Sequence, residues 1–173
     1  METTRNKLTK EQKKLFNGLS DYLETKLYYY GSIQRPDYVP GKSDIDVDIF
    51  TDNEASTMVK LQHYLHLEKN SFKKVLWKVR NHSKLIHGYK AKYKIEGLKA
   101  EFAVYSEKYK DYVLEEHNSK INVPFYFTWI LNFLKFLYYE LNILPKPYFA
   151  YLKNKTINYA FGLMEDDIFV YVR

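Results

Sequence analysis

Cysteine is absent from this 173-residue chain, which removes disulfides, thiolate metal ligands and a cysteine nucleophile together. Such a composition suits a reducing compartment. No apolar run approaches the roughly 20 residues that a membrane-spanning helix needs, because the most apolar segment, residues 125–144, contains Asn132, Lys135, Glu140 and Asn142. The opening stretch METTRNKLTK lacks the apolar core of a secretory signal. These absences predict a cytoplasmic protein with no membrane span and no anchor. With only 6 glycines, the chain also has neither a Walker-type phosphate loop nor a dinucleotide-binding fingerprint.

What is present is an ordinary globular composition, 46% hydrophobic and 28% charged, which predicts a single domain over residues 1–173. The formal charge of +6 asks for a polyanionic partner. Most of the basic excess lies in the segment 73–110, where lysines and Arg80 face only Glu96, Glu101 and Glu107. That segment reads either as a solvated, self-repelling face or as a phosphate-binding surface. The 18 tyrosines and 11 phenylalanines, beside many Lys, Asn and Ile residues, resemble a coding bias as much as a set of base-stacking platforms.

Thr9 followed by Gln12 forms a capping-box pattern, and Leu15, Phe16, Leu19, Tyr22, Leu23 and Leu27 recur at helical spacing, so an amphipathic helix is predicted over about 9–26. KLYYYG then reads as a short strand ending at Gly31, and RPDYVPGK as a loop. SDIDVDIF is a strand, followed by a helix over DNEASTMVKLQHYLHLEKN that Asp52 or Asn53 opens. Downstream, FKKVLWKVR, KLIHGYKAKYKI and LKAEFAVYS are strands, the last two joined by a tight turn at Glu96-Gly97. Residues 124–144 are helical, LPKPY breaks them, and a further helix precedes a short terminal strand in DDIFVYVR. The fold class is therefore α/β (α+β): a mixed β-sheet packed against helices over about 9–106, with a helical portion over about 107–173 that closes a cleft over the carboxylates.

One feature of this pattern carries chemistry. Alternation along a strand puts Ile45, Val47 and Ile49 on one face and Asp44, Asp46 and Asp48 on the other. Three carboxylates at that spacing raise one another's pKa unless a cation neutralises them. An all-oxygen donor set favours Mg²⁺ or Mn²⁺ over zinc. In LKAEFAVY the apolar face is Leu98, Ala100, Phe102 and Val104, which turns Glu101 to the polar side with Lys99, Ala103 and Tyr105. If the two strands are neighbours, Glu101 joins Asp44 and Asp46. Asp48 has three readings: a pair with Lys99, an extension of the metal site, or a solvated residue, of which the first is favoured.

The pattern GSIQR, a loop and then SDIDV resembles the signature of the nucleotidyltransferase superfamily typified by DNA polymerase beta, over roughly residues 28–106. That resemblance implies a nucleotidyltransferase core. It implies that Gly31, Ser32 and Ser43, with Arg35 and Lys42, bind the phosphates of a nucleoside triphosphate such as ATP. It further implies that Asp44, Asp46 and Glu101 are catalytic and hold two Mg²⁺ or Mn²⁺ ions for attack on the α-phosphorus, with release of pyrophosphate. The chain departs from the family pattern at Pro36, often Gly, at Asp48, commonly apolar, and at Glu101, usually Asp.

The expected activity is template-independent transfer to a nucleic-acid hydroxyl, RNA or transfer RNA, with segment 73–110 tracking the acceptor. Transfer to a protein hydroxyl (antitoxin-like or AMPylating) or to a small molecule such as an antibiotic is the alternative, and a non-catalytic nucleotide-binding module the second. His63 and His66 read as a polar helix face, His82, His87 and His117 show no catalytic arrangement, and the aromatic stripe from Phe125 to Tyr139 reads as core or subunit contact.

Overall fold

The structure, a computed structural model, describes residues 1–79 and 84–162 and the backbone of 170–171. The elements run α1 (Lys10–Leu23), β1 (Tyr28–Tyr30), β2 (Ile45–Thr51), α2 (Glu54–Leu65), β3 (Lys73–Val79), β4 (Lys84–Ile95), β5 (Leu98–Ser106), α3 (Lys110–Ser119), α4 (Phe125–Tyr139), α5 (Lys146–Ala160) and β6 (Val170–Tyr171). The capping box at Thr9 forms: Thr9 Oγ1 accepts from the Gln12 amide at 3.2 Å and Gln12 Oε1 from the Thr9 amide at 3.0 Å. Phe16, Leu19 and Leu23 then face inward. Asn53, not Asp52, caps α2, its side chain accepting from the Ser56 amide at 3.0 Å.

The sheet is six-stranded and mixed, in the order β1-β2-β5-β4-β3-β6. β2 and β5 are parallel neighbours, and every other pairing is antiparallel. The β4–β5 hairpin turns at Gly97, whose φ of +72° is the left-handed conformation that glycine adopts without a Cβ penalty. Of the expected terminal strand, Val170 and Tyr171 pair with β3, and the rest of DDIFVYVR lies outside the described residues, as do Arg80 and His82.

Two apolar layers cover the sheet, not one. On the first face Ile45, Val47, Ile49, Phe102 and Val104 pack with Phe16, Leu19 and Leu61 of α1 and α2. On the second, Phe50, Trp77, Ile86, Ala103 and Tyr105 pack with Val113 of α3. Ala103 and Tyr105, expected on a polar side with Glu101, are thus fully buried. On the carboxylate face, Asp44 is exposed and Asp46 partly exposed, whereas Asp48 is buried.

Helix α3 falls within the helical portion expected over about 107–173, and no side chain caps its start. The aromatic stripe of α4 is mostly not core: Phe125, Trp129 and Phe133 are exposed, while Leu131, Leu134 and Lys135 are the buried residues of that helix.

Candidate active site

β1 ends at Tyr30, which pairs across the sheet with Asp46. The chain then turns at Gly31, φ +69°, into one 3₁₀ turn, Gly31–Gln34. A Cβ on Gly31 would stand 2.1 Å from Asp46 Oδ2, so only glycine leaves the carboxylate its place. The Ser32 hydroxyl donates to the Asp44 carbonyl at 3.4 Å and ties the turn to the start of β2.

The loop between that turn and β2 is held from inside. Arg35 Nε donates to Asp37 Oδ1 at 2.8 Å, and Lys135 Nζ of α4 reaches Asp37 Oδ2 at 2.9 Å, the Asp37 carbonyl, and Ser43 Oγ at 3.3 Å. Burial alone would raise the Asp37 pKa, but the two cations outweigh it and hold the carboxyl below its usual range. Burial pushes Lys135 down, with Asp37 opposing it. Arg35 and Ser43, expected at the triphosphate, are buried in this cluster instead. Lys42 pairs with Glu140 at 2.6 Å near the surface.

The adjacency left open by the sequence is realised. In the parallel register Asp46 stands directly opposite Glu101. Asp44 is exposed and Asp46 partly exposed. Loss of surrounding water on burial raises the Asp46 pKa to about 7; Lys90 pulls it down, Glu101 pushes it up, Lys153 of α5 pulls it down again and Asp44 adds a final push. Glu101 Oε1 accepts from Lys90 Nζ at 2.8 Å, and its Oε2 lies 4.0 Å from Lys92 Nζ. Burial works against the charge of Lys90, yet Glu101, then Asp46 and Asp48, keep it an ammonium ion with its pKa above the usual value.

Asp48 does not meet Lys99. The register sets Asp48 opposite Ala103, whereas Lys99 lies before Ala100, the partner of Ile45, and donates to the Lys42 carbonyl at 3.4 Å. Asp48 is 0% exposed and its Oδ2 lies 3.1 Å from His117 Nε2 of α3, an ion-pair distance outside hydrogen-bond alignment. The His117 ring is stacked between Tyr30, 4.0 Å away, and Trp77, 5.9 Å away. Sequence spacing gives His117 no carboxylate partner because the two residues lie far apart along the chain. Lys90 was one lysine among many, although counting back from the Glu96-Gly97 turn places Lys92 opposite Glu101 and Lys90 on the same face. His63 meets Tyr22 at 3.0 Å, on a polar helix face as expected.

A glycine-led turn beside a carboxylate pair, on a mixed α+β sheet, is an arrangement suited to a transferase that handles nucleotides. The nucleotidyltransferase domain family model matches residues 9–122, and the chain belongs to that family. Comparison with curated proteins gives no match.

The family implies divalent metal, and the residues fit it in part. Asp44 and Asp46 supply hard oxygen donors, Asp44 exposed and Asp46 partly exposed. Glu101 fits less well, since both its oxygens face ammonium groups. Among the described residues no three acidic or histidine side chains converge to hold an ion.

Proposed function

We propose that the chain transfers a nucleoside monophosphate from a nucleoside triphosphate, such as ATP, to a hydroxyl of a nucleic acid, RNA or transfer RNA, without a template, releasing pyrophosphate. The observation that carries this reading is the pairing of Asp46 with Glu101 beside the Gly31 turn. Asp44 and Asp46 would hold a divalent ion, Mg²⁺ or Mn²⁺. When bound, it supplies positive charge to the triphosphate and to the departing pyrophosphate. The Gly31–Ser32 turn receives the phosphates through backbone amides and the Ser32 hydroxyl.

The acceptor oxygen attacks the α-phosphorus in line; the new P–O bond forms as the bond to the α,β-bridging oxygen breaks, and that electron pair leaves with pyrophosphate. The hydroxyl proton passes to Glu101, whose carboxylate lies 2.8 Å from the Lys90 ammonium group. Support for a nucleic-acid acceptor comes from charge: Lys73, Lys90, Lys92, Lys94 and Lys99 share the carboxylate face by strand alternation and pairing.

Incorporation of each labelled nucleoside triphosphate into cellular RNA, with Mg²⁺ or Mn²⁺, tests the reading. The expected result is RNA labelling that an Asp44→Ala/Asp46→Ala double variant lacks. Label appearing in protein or in a small molecule, with none in RNA, would move the acceptor to that class. No label anywhere would leave a non-catalytic nucleotide-binding module.

A further inference from the structure

We propose that Lys90 is the resident cation of the carboxylate site: its ammonium group holds Glu101 in place of a second divalent ion, and the site takes one Mg²⁺ or Mn²⁺, on Asp44 and Asp46. This rests on the nucleotidyl-transfer reading, and departs from the two-ion centre that the three-carboxylate pattern implies.

Strand β4 sets the position of the lysine. Ala103 lies directly opposite Lys90 and Glu101 opposite Lys92, so Lys90 and Glu101 are diagonal neighbours on one face. The register is fixed two residues earlier: a Cβ on Gly88 would meet the Tyr105 ring at 2.4 Å, so β4 lies hard against β5 at that point. From there the Lys90 side chain runs over Ala103 toward β2, and only 11% of it is exposed. Its ammonium ends 2.8 Å from Glu101 Oε1 and 3.4 Å from the hydroxyl of Tyr30, the residue paired with Asp46. Lys90 is therefore a placed group, unlike Lys92, which is 81% exposed and 4.0 Å from the other oxygen of Glu101.

A second divalent ion ligated by Glu101 would have to displace that ammonium or sit beside it, where like charges repel with little water between them. Lys90 acts through Glu101 and is a positioning residue. It fixes the place of the carboxylate, and the transfer step keeps the same bonds and the same proton acceptor.

Counting ions decides the matter without an activity assay. Mn²⁺ is titrated into the whole chain in the presence of α,β-methylene ATP, with free Mn²⁺ followed by electron paramagnetic resonance. The expected result is one tightly held ion per chain in the wild type and in Lys90→Arg, and two in Lys90→Met. Two ions in the wild type would overturn the proposal while leaving nucleotidyl transfer standing, and that count needs no variant to fold. One ion in a folded Lys90→Met would also overturn it, because removal of the ammonium should open the second place. No tightly held ion in the wild type would overturn the nucleotidyl-transfer reading beneath it.

Discussion

Asp46 shows how one side chain ties stability to chemistry. Its pKa in the folded chain, about 7, stands above the ordinary value of 3.8, so folding tightens its hold on a proton. The stability this gives is present below the unfolded value and is lost as pH rises through the folded one. In the absence of divalent ions, Asp46→Asn should become more stable than wild type between about pH 5 and 8, by on the order of 1–2 kcal/mol once partial solvent exposure is discounted. Urea unfolding across that range checks it; a difference that does not change with pH would mean Asp46 is an ordinary carboxylate. Gly31→Ala is the steric counterpart. A methyl group 2.1 Å from Asp46 Oδ2, on a residue with φ +69°, should cost about 1–2 kcal/mol in stability and, by shifting the carboxylate, about 10²-fold or more in transfer rate. Both roles follow from residues legible in the sequence, the glycine before Ser32 and the aspartate in SDID. The partners of Asp48 and Glu101 were not legible to the same degree. Lysine is abundant in this chain, and nothing local to LEEHNSK announces that His117 folds back onto a strand.

At the level of elements, period-two alternation sorted the residues of β2 and β5 onto two faces, but both faces are largely buried, so that Ala103 and Tyr105 lie in a second core and not on a polar side. The same rule did not reveal that α3 covers part of the opposite face, since α3 has no side-chain N-cap and little segregation of apolar from charged residues. The loop before β2 is the other element that the sequence under-described. Arg35, three residues after Ser32, looked like a phosphate ligand, but Asp37 lies two residues on and takes its guanidinium within the loop. Lys135 from α4 completes that cluster, so the helix following the family-matched segment braces the loop that leads into Asp44 and Asp46. Asp37→Asn leaves two buried cations facing a neutral amide and should cost about 3–5 kcal/mol. Denaturant unfolding measures that loss, and a change below about 1 kcal/mol would show that the cluster is solvated.

For the whole molecule, the distribution of lysines matters more than the net charge of +6. Alternation in β3 sends Lys74 and Lys78 to the face opposite Lys73, whereas pairing keeps Lys92 and Lys94 beside the carboxylates. Lys92→Glu with Lys94→Glu should therefore weaken RNA binding and flatten its salt dependence by about 0.7 in log–log slope for each phosphate that the protein no longer neutralises. Lys74→Glu with Lys78→Glu, an equal change in net charge, should do much less. Filter binding over a salt series separates the pairs, and equal effects would mean that the protein attracts RNA through its overall field alone. The parallel seam between β2 and β5 has a consequence of another kind. Asp44 and Asp46 reach the seam from the first part of the chain, Lys90 and Glu101 from the second, and the connection between α2 and β3 lies between them. Cut at that connection, the chain would give two fragments, neither of which contains the whole carboxylate cluster. Any activity recovered on mixing them would report strand-to-strand reassembly, so the seam could serve as a split reporter in which catalysis itself is the signal that two polypeptides have met.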